Sequence, residues 1–236
     1  MVGNCIFKLT DVTKEYKMGE ITVQAIKPLS FEILSGELVV VLGPSGSGKS
    51  TLLNIMGGMD IPTSGNVLFN GIDISRYNET KLTYFRREKI GFVFQFYNLM
   101  PNLTARENIE ISTEISKNPI NIDDVLERVG LKERSNHFPS QLSGGEQQRV
   151  SIARAIAKNP DVLLCDEPTG ALDYITGKKI LMLLKKINEE SGKTIILITH
   201  NQPIADIAHR VIKMRSGSIV DIKLNENPIN PELIEW

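Results

Sequence analysis

The sequence predicts an α/β fold: a mostly parallel sheet covered by helices, with an antiparallel β-subdomain and a helical subdomain added to it. Three observations carry that expectation. First, short apolar runs end in glycine or polar residues: Leu38-Val39-Val40-Val41-Leu42, Val162-Leu163-Leu164-Cys165 and Thr194 to Ile198. Runs of this length read as strands buried on both faces, as in a parallel sheet. Second, Ile180, Leu181, Leu183, Leu184 and Ile187 recur at helical spacing, with Lys178, Lys179, Lys185 and Lys186 on other faces. Strands alternating with helices make an α/β core. Third, the first part of the chain is half-polar and β-rich, and the middle is mostly helical.

In chain order, Thr22-Val23-Gln24-Ala25-Ile26 and Leu29 to Leu34 read as two short strands. Val67-Leu68-Phe69 follows Ser64-Gly65 and precedes the turn signal Asn70-Gly71. From Asn98 to Gln141 the pattern is helical. There Ile122, Val125, Leu126 and Val129 share a face, Asp123-Asp124 suits a first turn, and Gly130 marks a stop. A hairpin is expected from Val211–Met214, a Ser216-Gly217 turn and Ile219-Val220. The tail from Asn225, with Pro228 and Pro231, is expected to be loosely ordered.

Composition narrows the function classes. The 236 residues carry 27 basic and 28 acidic side chains, a net charge of −1, which argues against a general nucleic-acid binder. Cys5 and Cys165 are the only cysteines, neither a disulfide framework nor a metal-ligand pattern, and fit a reducing compartment. Leu38–Leu42 and Ile195–Ile198 fall far short of the roughly 18 apolar residues needed to cross a bilayer. Met1 to Lys8 lacks the pattern of a signal peptide. A cytoplasmic protein is expected, with any membrane role exerted through a partner.

The chemistry begins at Gly43-Pro44-Ser45-Gly46-Ser47-Gly48-Lys49-Ser50-Thr51, which satisfies G-x-x-x-x-G-K-[ST] between a predicted strand and the helix start Leu52-Leu53-Asn54-Ile55. Glycines let successive N–H groups turn toward phosphate oxygens, and the following helix adds its free amides and positive dipole end. Lys49 offers charge to the β- and γ-phosphates, and the Ser50 hydroxyl suits Mg²⁺. Asp166-Glu167 ends a buried strand, so both carboxylates reach the carboxyl edge of the sheet. Asp166 there can hold Mg²⁺ through water, and Glu167 can polarise the water that attacks the γ-phosphate. Taken alone, such a pair would as readily be solvated loop carboxylates; the phosphate loop decides for catalysis.

A second glycine motif, Leu142-Ser143-Gly144-Gly145-Glu146-Gln147-Gln148-Arg149, opens another helical pattern. A hydroxyl, unobstructed amides and a helix dipole make a second anion site. Two such elements in one chain suggest that two chains share each nucleotide.

With these motifs in that order, the sequence closely resembles the ATP-binding cassette (ABC) ATPases over about residues 5 to 222. Gly43–Thr51 resembles the Walker A loop, Leu142–Glu146 the signature and Val162–Glu167 the Walker B strand. Pro168-Thr169-Gly170-Ala171-Leu172-Asp173 resembles the D-loop. The resemblance implies a P-loop NTPase core in a single nucleotide-binding domain, residues 1–224, with a helical subdomain about 98–157 and a tail, 225–236. It implies ATP and Mg²⁺ as cofactors and a head-to-tail dimer. Each ATP would lie between one chain's phosphate loop and the other's Ser143, Gly144, Gly145 and Glu146, with Asp173 nearby. It makes Gln95 a residue that ligates Mg²⁺ or orients water, His200 a switch histidine that hydrogen-bonds the γ-phosphate and steadies the attacking water with Glu167, and Tyr16 the adenine-stacking residue.

Phe94-Gln95-Phe96-Tyr97-Asn98-Leu99-Met100-Pro101-Asn102-Leu103-Thr104-Ala105-Arg106-Glu107-Asn108 is similar to a string in one branch. That branch includes lipoprotein-releasing, macrolide-exporting and antimicrobial-peptide-resistance systems and a cell-division relative. Tyr97 stands where the branch usually has Asn, and Asn201 where Asp often follows the switch histidine. Membership implies an integral membrane permease-type partner and a place on the cytoplasmic face of the cell membrane. Apolar side chains in this stretch either form a groove for a partner's coupling helix or pack the helical subdomain. Two other readings remain: a soluble ABC-type ATPase acting on ribosomes or nucleic acid, which the single cassette and balanced charge disfavour, and a non-hydrolysing regulator, which Glu167 disfavours.

Overall fold

The computed structural model describes residues 4–235. Two sheets organise them. An antiparallel sheet has the order β2-β1-β4-β5, from β1 (Cys5–Met18), β2 (Ile21–Leu34), β4 (Ser64–Phe69) and β5 (Ile72–Asp73). The larger sheet has the order β10-β9-β3-β8-β7-β6, from β3 (Leu38–Leu42), β6 (Ile90–Val93), β7 (Val162–Asp166), β8 (Thr194–Thr199), β9 (Arg210–Arg215) and β10 (Ser218–Leu224). Its strands pair in parallel except β10, which pairs antiparallel to β9.

Burial on both faces explains the unbroken apolar runs. Val39 and Val41 of β3, Val162 and Leu164 of β7, and Ile196 and Ile198 of β8 point to one core, shared with helix α1 (Lys49–Met56) and the antiparallel sheet. Their neighbours Leu38, Val40, Leu163, Cys165, Ile195 and Leu197 point to the other core, which α5 (Gly144–Ala157) and α6 (Tyr174–Ser191) cover. This is the period-two alternation of a strand, apolar at every step because both faces are dry. Helices α2 (Glu79–Lys89), α3 (Ala105–Glu114) and α4 (Ile122–Arg128) complete the set. The expected stop of α4 holds: Gly130 lies at φ 67°, the left-handed region where helices end on glycine.

Two expectations are corrected. Thr22–Ile26 and Leu29–Leu34 are parts of one strand, β2. The ladder with β1 shifts register between Val12 and Lys14, opposite Lys27-Pro28, so the proline's missing N–H falls at an irregularity. The tail is also well packed. Pro231 and Ile234 are buried, Tyr174 donates its hydroxyl to the Ile234 carbonyl (2.8 Å), and Lys178 and Lys185 donate to the carbonyls of Glu232 and Ile229. Three tail carbonyls are thus met by α6, the Ile229 N–H donates to Asp206 O (3.0 Å), and Ile234 joins the core with Ile229 packed against it.

Candidate active site

The carboxyl ends of β3, β7 and β8 converge on a cleft of about 910 Å³. Its walls include Ser45–Thr51, Gln95, Asp166, Glu167 and His200. Sequence positions spread over more than half the chain meet because parallel strands all deliver their ends to one edge of the sheet.

The phosphate loop is fixed by backbone contacts. The Gly43 N–H donates to Thr199 O (3.2 Å), joining the loop to the residue before His200. A Cβ at Gly43 would lie 2.3 Å from the Met214 carbonyl oxygen, so no side chain fits there. Gly48, at φ 96°, immediately precedes α1, whose first turn directs its free amides toward the cleft mouth. Lys49 is 7% exposed, and its ammonium donates to Gly43 O (2.7 Å) and Pro44 O (3.0 Å). Burial draws its pKa below the ordinary lysine value, against the opposing pull of Glu167 and Asp166. The buried Ser47 hydroxyl, also on the cleft wall, has no hydrogen-bond partner among the described residues.

Asp166 accepts a hydrogen bond from Ser50. Burial raises its pKa above the usual carboxylate value; the Glu167 charge adds to the rise, while Ser50 and Lys49 oppose it. Glu167 holds a left-handed backbone, φ 46°, costing on the order of 1 kcal/mol or more in a non-glycine residue. Its Oε1 lies 2.9 Å from His200 Nδ1, and its Oε2 accepts from Thr199 Oγ1 at 3.1 Å. Gln95 faces Gly170, where a Cβ would come within 2.9 Å of the Gln95 amide nitrogen. Gly170 thus leaves room for the glutamine.

Other anticipated residues stand apart. Tyr16 donates to Asp60 Oδ2 (2.7 Å), carries the Lys14 ammonium over its ring at 4.9 Å, and touches the Thr51 hydroxyl, so it borders the cleft without lining it. Ser143 caps α5: its hydroxyl accepts from Glu146 N, while Glu146 Oε2 accepts from the Ser143 N–H and hydroxyl at 2.8 Å each. Those backbone and hydroxyl donors hold the Glu146 carboxyl below its usual range. Gly145 packs on the Thr176 methyl and Gly144 on the Tyr97 hydroxyl. Asp173 caps α6 through Thr176 N (3.0 Å). None of Ser143, Gly144, Gly145, Glu146 or Asp173 lines the phosphate cleft.

Sequence reasoning missed part of the wall. Val23, Gln24, Ala25 and Lys27 of β2 and the Ser216-Gly217 turn also line the cleft. Ser216-Gly217 carried a turn signal, but its approach to β2, through Lys27 N to Gly217 O at 2.8 Å, joins distant segments and has no local signature. Gln148, fully buried, donates to Pro168 O (2.8 Å) and ties the Ser143-capped helix α5 to the loop after Glu167.

A parallel sheet whose edge presents a glycine-rich phosphate loop opposite an Asp-Glu pair defines a P-loop nucleoside-triphosphatase. The ABC transporter family matches residues 26–170, and the chain belongs to that family. It is 48% identical over 223 residues to an uncharacterized ABC transporter ATP-binding protein of Thermotoga maritima, covering 92% of this chain and 95% of that one. It is 44% identical over 235 residues to the macrolide export ATP-binding/permease protein MacB of Azoarcus sp., covering 98% of this chain and 36% of the larger protein. A solved dimeric, post-hydrolysis structure of the ATP-binding cassette MJ0796 of Methanocaldococcus jannaschii, bound to ADP and Pi, matches with TM-score 0.84 and 45% identity, over 92% of this chain and 98% of that one. The fold is the ABC ATPase fold, and the chain is an ATP-binding, ATP-hydrolysing transporter subunit. Among the described residues no helix is long and apolar enough to cross a membrane.

Proposed function

We propose that two copies of this chain close head to tail on two ATP molecules and power an integral membrane permease of the export or mechanotransmission kind. In this reading residues 1–224 form the nucleotide-binding domain, whose helical subdomain, about 98–157, carries the signature. The observation that carries the reading is the separation within one chain: Ser143–Glu146 present a capped helix start, yet the cleft holding Lys49 and Glu167 lacks them. A second copy turned to face the first supplies the missing anion site.

Within that closed site, Ser45–Thr51 bind the phosphates through backbone amides and Lys49. Ser50, Asp166 and Gln95 present oxygen donors fit for Mg²⁺, which when bound would neutralise phosphate charge. Glu167 takes a proton from the attacking water, and His200, already against its Oε1, orients that carboxylate. Tyr16 and the β2 wall receive the adenine side. Closure excludes water and turns binding energy into movement; hydrolysis reopens the pair.

The permease partner places the chain on the cytoplasmic face of the cell membrane. Its likeness to a macrolide exporter extends the reading to antibiotic resistance. Light scattering of Glu167→Gln with ATP tests the dimer: a doubled mass is expected, and a monomer at saturating ATP contradicts it. Co-purification with ribosomes or nucleic acid in place of a membrane protein would favour the soluble alternative.

A further inference from the structure

The turn after Gln95 is strained, and one side chain grips both carbonyls of its strained pair. Tyr97 and Asn98 occupy consecutive left-handed conformations, φ 60° and 49°. Asparagine tolerates that region; a tyrosine there is an outlier that its surroundings must enforce. The guanidinium of Arg154, on α5, donates to Asn98 O (2.6 Å) through Nη1 and to Tyr97 O (2.9 Å) through Nη2. Both carbonyls of the strained pair are thus gripped by one planar fork.

The grip is costly to build. Burial lowers the Arg154 pKa, and the side chain makes no ion pair among the described residues. A partly buried cation answered by two carbonyls and no carboxylate is a poor way to gain stability. Its position gives it another use. Gln95 stands two residues before the gripped pair, and the Tyr97 hydroxyl rests against Gly144, where a Cβ would come within 2.9 Å. Arg154 and Gly144 belong to the same helix.

We propose that Arg154 is a positioning residue for Gln95: its fork on the Tyr97 and Asn98 carbonyls fixes the turn that aims Gln95 into the phosphate cleft and fastens that turn to the signature helix. The inference rests on the reading of Gln95 as a metal ligand.

The test is a double-mutant cycle on the purified full chain, comparing wild type, Arg154→Met, Gln95→Ala and the pair in two readouts, ATP hydrolysis against Mg²⁺ concentration and calorimetric Mg²⁺ affinity in the presence of a non-hydrolysable ATP analogue. Arg154→Met keeps a long apolar stem without the fork, and circular dichroism checks its fold. The expected result is a half-saturating Mg²⁺ concentration raised about threefold or more and kcat lowered about tenfold or more, with the double variant within about twofold of Gln95→Ala alone. Penalties that multiply, or wild-type Mg²⁺ dependence in Arg154→Met, overturn the proposal. If the methionine variant does not fold, Arg154→Lys, which keeps charge but not the fork, is read by the same criteria. Wild-type behaviour of Gln95→Ala overturns the Gln95 assignment and the proposal with it. Impaired Gln95→Ala with multiplying penalties overturns the Arg154 role alone.

Discussion

Glu167 and His200 meet across 2.9 Å between Oε1 and Nδ1, although 33 positions separate them in the chain. Each follows the end of a buried parallel strand, and the strands are neighbours in the sheet. The Glu167 N–H donates to Ile198 O (3.0 Å), fixing the left-handed turn that points the carboxylate at the imidazole. The pair is thus set by the ends of two neighbouring strands and one backbone hydrogen bond of this chain.

Replacing Glu167 with Gln keeps the shape and removes the proton acceptor. Hydrolysis should fall by about 10²-fold or more, while ATP affinity of the monomer stays within a few-fold. Steady-state turnover alongside calorimetry checks both. A variant with near-normal turnover would move the general base elsewhere.

His200→Ala should lower kcat more than it raises the ATP concentration at half-saturation, because the imidazole acts on Glu167 at the reacting phosphate and not on the rest of the nucleotide. A loss on the order of tenfold or more is expected in kcat. An effect confined to KM would contradict that role.

Asp166 offers a pH test whose sign can be worked out. Its folded-state pKa is raised, so the folded chain binds this proton more tightly than the unfolded chain. The associated stability is present at acid pH and is lost as pH climbs from the ordinary carboxylate value, about 4, through the raised one. Without nucleotide, Asp166→Asn should therefore melt no lower than wild type at pH 7, and about 2 °C higher if screening by the open cleft is modest. The difference should shrink below pH 4 or so. The same variant should lose Mg²⁺-dependent turnover. A lower melting temperature at pH 7 would mean that the Ser50 hydrogen bond outweighs burial.

Gly43 and Gly46 should respond differently to alanine. At Gly43 the new methyl would meet the Met214 carbonyl at 2.3 Å, whereas at Gly46 it meets nothing within 4 Å but must accept φ +75°. Gly43→Ala should cost about 2 kcal/mol or more and Gly46→Ala about 1 kcal/mol, read from urea denaturation. Equal costs would place strain, not contact, at Gly43.

The ordered tail predicts its own penalty. Ile234 is 2% exposed, so Ile234→Ala should destabilise by about 2 kcal/mol. A change under about 0.5 kcal/mol, the usual range for exposed sites, would mean that the tail is as loose as its prolines suggested.

Where local chemistry decided the outcome, the sequence was a good guide. Leu38–Leu42 and Thr194–Thr199 lie as fully buried strands because apolar runs of that length have few other places to go. The loop opened by Gly43 brings Ser45–Thr51 to the same cleft as Asp166-Glu167 because each segment follows such a strand. Long-range packing was harder to read. Thr22–Ile26 and Leu29–Leu34 read as two strands, but pairing with β1 absorbs the intervening Lys27-Pro28 at a register shift. Asn225 onward reads as loose because nothing local reveals that Tyr174, Lys178 and Lys185 take up carbonyls of this segment. The fork of Arg154 has no local signature for the same reason: 56 positions separate it from Asn98.

The central claim is that each nucleotide is held by two copies of the chain. The most direct measurement is the crystal structure of Glu167→Gln with ATP, read at the terminal phosphate. The account predicts the Ser143 hydroxyl and the Gly144 and Gly145 amides of the second subunit within hydrogen-bond distance, about 3 Å, opposite Lys49 of the first. A terminal phosphate enclosed by residues of its own subunit alone would contradict it.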